Sequence, residues 1–167
     1  MNLPWPLDRI DARVTAWMAR HGVAFTRIAL GVIFLWFGII KFVPDLSPAS
    51  DLATRTMTRL TGGMVPPALA LKVLAGWEVL IGLGLLSGAF LRITLLLLFV
   101  QMTGTMLPLF FFPHETFRFF PYAPTLEGQY IIKNLVLVAA AIVVGATVRG
   151  GRLTSAPVGT RVTRKGE

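Results

Sequence analysis

Six of the polar residues within the long apolar stretches of this sequence have side chains that could form a chemical site. They are Arg27, Lys41, Glu78, Gln101, Lys133 and Asn134. A buried carboxyl group can hold or relay a proton, and a lysine ammonium or a side-chain amide can donate a hydrogen bond to a carbonyl oxygen. Ionisable groups are costly inside a membrane, so those that occur there are candidates for function. These side-chain types therefore predict a polar site between helices that binds a ligand or moves a proton.

Glu78 is the single acidic residue within these apolar stretches. At about 1.5 Å per helical residue, it lies close to the midplane of the predicted membrane. We expect it to pair with Arg27, whose side chain is long enough to approach it, and to form a hydrogen bond with Gln101. Lys41 and Lys133 are the competing partners. A purely structural role is the alternative, in which the ion pair only fixes the register of four apolar helices.

Several other chemistries are excluded by residue type and spacing. The sequence has no cysteine, which removes disulfides, thiol redox chemistry and cysteine metal sites. His21 and His114 lie on opposite sides of the predicted membrane, so one chain cannot bind a haem or a metal through both. The glycines at positions 82, 84 and 88 follow no strand and precede no P-loop lysine, so they are not a nucleotide loop. We predict no metal site and no covalently bound cofactor.

The composition is that of a membrane protein. Of the 167 residues, 54% are hydrophobic and 14% are charged, and the mean hydropathy is +0.70. Soluble domains are about 45–50% apolar and about 25% charged, and a chain this short cannot hide such an excess in one aqueous core. The net charge of +8 would suit nucleic acid, but the basic residues lie mostly at the ends of apolar runs. The sequence therefore predicts a lipid bilayer as partner and no nucleic acid.

Four segments of 19–23 residues are apolar enough to cross a membrane, at residues 22–43, 68–90, 93–112 and 130–148. At about 1.5 Å per residue, each can span a hydrocarbon layer of about 30 Å. Nine Lys and Arg residues lie on one side of these spans and three on the other. Basic residues favour the cytoplasmic side, so we predict an all-α integral membrane four-helix bundle with both termini in the cytoplasm.

Each predicted span carries polar or small residues at helical spacing, which is typical of a face that points into a bundle. On the first span these residues are Arg27, Gly31, Phe34, Gly38 and Lys41. On the others they are Ala75, Glu78, Gly82 and Leu85; Thr94, Leu98, Gln101, Thr105 and Pro108; and Lys133, Leu137, Ala140 and Val144. The glycines on the first span predict close approach of a second helix.

The two ends of the chain are predicted to lie at the cytoplasmic surface. Residues 1–21 carry apolar side chains at helical spacing, namely Leu7, Ile10, Val14 and Trp17. This pattern predicts an amphipathic surface helix that runs into the first span; the alternative is a short segment that packs under the bundle. Residues 149–167 are basic and rich in glycine, which predicts a disordered tail attracted to anionic lipid.

The two predicted outer loops carry structure of their own. In the first, residues 44–67, the pair Ser47–Pro48 predicts the start of a short helix and the pair Gly62–Gly63 its end. The second, residues 113–129, is rich in aromatic side chains. These predict an interfacial belt or, as the alternative, a lid over a pocket.

Three strings of the sequence resemble the DoxX-like family of small membrane proteins, including its branch linked to reactive-chlorine resistance. Residues 27–44 (RIALGVIFLWFGIIKFVP) resemble the family's first helix, residues 76–88 (GWEVLIGLGLLSG) its second, and residues 128–134 (GQYIIKN) the start of its fourth. The resemblance covers roughly residues 22–148 and implies four helices with both ends inside. The family's recurrent polar positions correspond to Arg27, Lys41, Glu78 and Lys133.

This resemblance implies a function in redox chemistry or oxidative-stress defence, because the family name is tied to a thiosulfate:quinone oxidoreductase subunit. A chain without cysteine or a haem-binding histidine pair needs an outside electron carrier, such as quinone. Together with the buried charges, the resemblance implies that a quinone or a lipid headgroup binds within the bundle at Arg27, Lys41, Glu78, Gln101, Lys133 and Asn134. We therefore expect a small accessory subunit of a larger assembly in a bacterial cytoplasmic (inner) membrane. We do not expect an enzyme by itself; a catalytic role would make it a quinone-linked oxidoreductase subunit. The alternatives are a structural scaffold or anchor without a ligand, and a small exporter, which the lack of a continuous polar path disfavours.

Overall fold

Helices account for most of the chain, and the computed structural model describes residues 5–43, 46–47, 50–151 and 153. In chain order the helices are α1 (Trp5–Ile40), α2 (Ser50–Leu60), α3 (Pro67–Ser87), α4 (Leu91–Met106), α5 (Pro108–Phe111), α6 (Pro113–Thr116) and α7 (Leu126–Thr147). Helices α1, α3 and α7 are long and apolar enough to cross a membrane, as is the stretch Leu91–Phe111 that combines α4 and α5. The predicted all-α membrane bundle is thus confirmed, while the side that each terminus faces stays a prediction.

The first helix is longer than a membrane is thick. α1 has 36 residues, which is roughly 54 Å at about 1.5 Å per residue. It continues without a break from the predicted surface segment into the first predicted span. The apolar face predicted for its first half is exposed, at Leu7, Ile10, Val14 and Trp17. The predicted basic tail, residues 149–167, lies outside the described part of the chain except for residues 149–151 and 153.

The long helices form a ring in which each packs against two others. α1 contacts α3 and α7, and α4 contacts the same two helices. The most extensive contact joins α1 to α3. Their shared core is apolar and consists of Leu30, Phe34, Ile81, Leu85, Leu95, Leu98, Met102, Ala141 and Val144. All four long helices therefore contribute to a single core.

The outward faces of the long helices are apolar as well. Trp36, Leu96 and Val136 expose 66%, 62% and 69% of their surfaces. Soluble monomers rarely expose contiguous apolar surface of this extent. Together with four spanning helices, this surface identifies a multi-pass membrane protein whose outer face contacts lipid.

Small residues allow α1 and α3 to pack closely. A Cβ atom added to Gly82 would lie 2.5 Å from the backbone nitrogen of Leu35, and one added to Gly38 would lie 2.8 Å from that of Val79. Gly31 leaves similarly little room against Leu86. The close approach predicted for the glycines of the first span is therefore confirmed, and α3 supplies the partner glycine.

The connections gather at two ends of the bundle. The loop end carries α2, α5 and α6, followed by a hairpin of β1 (Phe117–Phe119) and β2 (Ala123–Pro124). The terminal end carries the α3–α4 connection, residues 88–90, and the last turn of α7. Gly88 ends α3 in the left-handed conformation, with φ of 74°, which a glycine adopts without steric cost.

At the loop end, the short helix predicted between the first two spans is present as α2. It ends at Leu60, and Gly62 and Gly63 follow with φ of 60° and 80°, so the predicted stop is confirmed. Its predicted start at Ser47–Pro48 falls two residues early, and Pro48 lies outside the described residues. The hairpin in the second loop was not predicted. Three aromatic residues of that loop are exposed, at Phe119, Phe120 and Tyr122; whether they form a belt or a lid stays a prediction.

The helix contact makes a test possible within α3 itself. We expect Gly82→Ala to destabilise the bundle by about 1–3 kcal/mol, because the added methyl group has no space against α1. Gly76→Ala is the matched control, since a Cβ atom there meets nothing within 4 Å. The free energy of unfolding, measured by SDS titration in mixed micelles, checks both variants. Equal stability of the two variants would contradict the described α1–α3 contact.

Candidate functional site

A buried polar network lies inside the bundle toward the loop end. Lys41 Nζ is 2.6 Å from Glu78 Oε2 and forms a salt bridge with it. Gln101 Nε2 donates a hydrogen bond of 2.8 Å to the other carboxylate oxygen, Glu78 Oε1. The three residues expose only 8%, 7% and 6% of their surfaces. We call Lys41, Glu78 and Gln101 the polar network.

The three residues come from three different helices. Lys41 follows the last residue of α1, and its Nζ also donates to the carbonyl oxygen of Phe37 at 3.2 Å, so the side chain folds back along the helix. Glu78 lies near the middle of α3, on its buried face. Gln101 is on the buried face of α4. The close contact of α1 with α3 at Gly38 brings Lys41 and Glu78 within reach of each other.

The polar network contains hydrogen-bonding capacity that the protein does not use. Gln101 Oε1 is buried and has no hydrogen-bond partner. A lysine ammonium carries three donor protons, and Lys41 uses two of them, on Phe37 and Glu78. A free acceptor and a free donor proton therefore accompany one carboxylate. Buried polar atoms without partners are rare in native proteins, and each calls for an explanation.

The predicted pairing of Glu78 with Arg27 is wrong. Arg27 Nη1 instead donates to the backbone oxygens of Leu85, at 2.6 Å, and Leu86, at 3.3 Å. These carbonyls belong to the last turn of α3, which has no intrahelical partners for them. A cation at a helix C-terminus is also favoured by the helix dipole. Arg27 therefore caps α3 at the terminal end. Lys41, the competing partner, forms the salt bridge with Glu78. The predicted contact between Gln101 and Glu78 is confirmed.

The structure does not bring Lys133 and Asn134 to the polar network. Lys133 is exposed, although the spacing placed it on the inward face of its span. Its Nζ lies 5.5 Å from the centre of the Tyr130 ring. Neither residue forms a side-chain hydrogen bond or an ion pair with any described residue. A lysine near a helix end can extend its ammonium toward the membrane surface, which explains the exposed position.

A second polar cluster, which the sequence did not reveal, ties α2 to the second loop. Arg55 donates hydrogen bonds of 2.7 and 2.5 Å to the two carboxylate oxygens of Glu115, and it also contacts Asp51 at 3.0 Å. Arg59 donates to the carbonyl oxygen of Phe111 at 3.0 Å. Hydrogen bonds from Arg55 lower the pKa of Glu115 below its ordinary value and raise the pKa of Arg55. The only sequence signal for this ion pair is that Arg55 and Glu115 have opposite charges and lie in the two predicted outer loops. Residue spacing does not show that they pair.

Potential metal ligands are not clustered in the part of the chain that the structure describes. No group of three or more His, Asp or Glu residues lies together within the residues that the structure describes. The polar network, with one carboxylate and one ammonium, suits a neutral hydrogen-bonding ligand better than a cation.

Separating Lys41 from Glu78 is expected to destabilise the bundle. Lys41→Met or Glu78→Gln leaves one buried charge without its partner, which costs about 3–5 kcal/mol. The double variant removes both charges, so we expect it to be more stable than the sum of the single effects predicts. SDS titration measures the four free energies of unfolding. Lys72→Met is the control, because Lys72 is exposed on α3 and outside the polar network; additive single effects would contradict the described pair.

The Arg55–Glu115 contact predicts a pH dependence. Folding lowers the pKa of Glu115, so its contribution to stability is present above the ordinary carboxyl range, about 4.3, and is lost as the pH falls through the lowered pKa. We expect the thermal midpoint of the wild type to exceed that of Glu115→Gln near neutral pH. This difference should disappear in acid. Glu127→Gln is the matched control; the prediction fails if both substitutions change the acid profile alike.

The DoxX family matches residues 22–115, which is more than half of the chain and includes the whole polar network. The string at residues 128–134, which also resembles the family, lies outside this match. No curated protein and no solved structure matches the chain. The extent of the family match is sufficient for assignment, and the chain belongs to the DoxX family.

Proposed function

We propose that this DoxX protein is a membrane subunit of a redox or oxidative-stress-defence assembly, and that its polar network binds the headgroup of a quinone. The observation that carries the proposal is the buried oxygen Oε1 of Gln101, which has no hydrogen-bond partner. Leaving such an atom unsatisfied costs about 1–3 kcal/mol. A hydroxyl group of the reduced form, the quinol, can donate a hydrogen bond to this oxygen and would remove this cost.

The chemistry of the three side chains fits both redox forms of a quinone. The unused proton of Lys41 can be donated to a carbonyl oxygen, and Gln101 Oε1 can accept a hydrogen bond from a hydroxyl group. Glu78 lies between them, within hydrogen-bond distance of both. When bound, a quinone supplies a carrier for two electrons and two protons. Lys41 and Gln101 would orient the headgroup, and Glu78 would hold or pass on a proton beside it.

The electrons in this proposal come from a partner protein, because the sequence contains no cysteine and no suitably placed histidine pair. The first half of α1 supports a partner contact, since its apolar residues Leu7, Val14 and Trp17 are exposed beyond the bundle. We infer a bacterial cytoplasmic membrane, with both termini inside, from the distribution of basic residues. In this arrangement the polar network lies in the outer half of the membrane.

Quinone content tests this proposal. The full chain is purified in mild detergent from quinone-containing membranes, and extracted quinone is quantified by mass spectrometry per mole of protein. We expect Gln101→Leu to lose about three- to tenfold of the bound quinol, since one hydrogen bond is worth about 0.5–1.5 kcal/mol. Its stability should be lower, because the substitution also removes the hydrogen bond from Gln101 Nε2 to Glu78 Oε1, so the quinol content is expressed per mole of folded protein. Gln129→Leu, the same change at an exposed position of α7, is the control.

Two results would overturn the quinone site. One is a wild-type protein that contains neither quinone nor quinol and binds neither added decylubiquinone nor added decylubiquinol. The other is a Gln101→Leu protein that binds as much as Gln129→Leu. In both cases the proteins must be folded, which circular dichroism establishes.

A scaffold without a ligand is the second candidate, and a specific observation favours it. The polar network joins α1, α3 and α4. A structural role in fixing the register of these helices would therefore explain the network without a ligand. On this account the purified chain contains a stoichiometric protein partner and no quinone. Substitutions in the network would then reduce stability and partner recovery together.

A further inference from the structure

A groove on the outside of the bundle lies between α4 and α7 at the terminal end. Its volume is about 580 Å³. The wall formed by α4 is apolar, with Leu95, Leu96 and Phe99, and small residues of α7, Gly145 and Ala146, leave the space open. Two arginines, Arg92 and Arg149, line the groove where it reaches the end of the bundle. The groove is far from the polar network, which lies toward the loop end.

The two arginines have no counter-charge among the residues that the structure describes. Both are exposed, and neither forms an ion pair or a side-chain hydrogen bond with any residue that the structure describes. Residues 154–167, which follow the groove in sequence, carry three basic residues and one acidic residue. That segment is therefore a poor electrostatic match for the groove. The N-terminus of α4 adds positive potential, because the first backbone N–H groups of a helix have no intrahelical partner and Phe90 provides no side-chain cap. Arg92 lies in this first turn.

Position along α4 separates the charged and apolar parts of the groove. Arg92 is the second residue of the helix, which places it at the membrane boundary, where lipid phosphates lie. Leu96 and Phe99 follow four and seven residues later, so they are about 6 and 10 Å deeper at about 1.5 Å per residue. The groove thus offers guanidinium groups at headgroup level and apolar side chains at acyl-chain level.

We infer that this groove binds an anionic phospholipid. Arg92 and Arg149 would hold the phosphate, since a guanidinium donates paired hydrogen bonds to phosphate oxygens. One acyl chain would lie along Leu95, Leu96 and Phe99. Basic sites between transmembrane helices are known to select acidic lipid headgroups. This inference does not depend on the quinone proposal, because the two sites share no residue.

Lipid retention tests the inference. Full-length protein in neutral detergent is given equal amounts of phosphatidylglycerol and phosphatidylcholine with the same acyl chains, and native mass spectrometry measures the lipid retained. We expect the wild type to prefer phosphatidylglycerol. The double variant Arg92→Gln/Arg149→Gln should lose about tenfold of this preference, since each basic residue near a membrane surface contributes about 1 kcal/mol.

A matched double variant distinguishes a site from general attraction. Arg13→Gln/Arg20→Gln removes the same charge from exposed positions of α1, outside the groove. We expect its preference to stay within twofold of the wild type. An equal loss in both double variants would overturn the inference, and so would equal retention of the two lipids by the wild type.

A third comparison separates a phospholipid from a free anion. Ala146→Phe fills the groove without changing charge, and Ala29→Phe makes the same change at an exposed position of α1, outside the groove. We expect Ala146→Phe to reduce phosphatidylglycerol retention at least threefold and Ala29→Phe to leave it unchanged. If Ala146→Phe has no effect and inorganic phosphate raises the thermal midpoint as much as phosphatidylglycerol does, the groove is not a lipid site. Quinone content should be the same in all groove variants.

Discussion

The salt bridge between Lys41 and Glu78 is the interaction on which the arrangement of the bundle depends. Both side chains are buried, and removing one of them would leave a buried charge without its partner, which is strongly destabilising. Their contact requires the end of α1 to lie beside the middle of α3. The same register places Gly38 and Gly82 where the two helices touch. Gln101 then fixes α4 against the pair through the second carboxylate oxygen.

Polar contacts join α1 to α3 at two depths in the bundle. The contact between α4 and α7, on the opposite side, has no such polar contacts among the described residues. Arg27 binds the C-terminal carbonyls of α3, 14 residues before Lys41 and therefore about 21 Å away along α1. By contrast, no side-chain hydrogen bond joins α4 to α7 in the described residues. The two proposed binding sites reflect this difference. The quinone would use unsatisfied atoms within the network, whereas the phospholipid would occupy a groove beside a purely apolar contact.

Hydropathy and spacing predicted the helices and most of their inward faces, because these depend on local sequence. The buried side of α3, with Ala75, Glu78, Gly82 and Leu85, is as predicted. The predicted pairing of Arg27 with Glu78 was wrong because the prediction considered only depth along the helix. The free carbonyl groups at the end of the neighbouring helix α3 compete for the guanidinium group. The predicted inward position of Lys133 was wrong because a flexible side chain near a helix end can avoid the core.

The loop end was the least predictable part of the fold. Arg55 and Glu115 lie 60 residues apart in sequence, and their pairing depends on the tertiary contacts of α2 with α3 and α5. No local pattern encodes such a contact. The β1–β2 hairpin is also short, with three and two residues in its strands, so alternation of side chains gives almost no signal for it.

Solid-state NMR in lipid bilayers tests the central contact most directly. In protein labelled at the lysine side-chain nitrogens and the glutamate side-chain carboxyl carbons, the account predicts strong dipolar coupling between one lysine Nζ and one glutamate Cδ. This coupling should vanish in Lys41→Met and persist in Lys72→Met. Absence of the coupling from the wild type, or its persistence in Lys41→Met, would contradict the account.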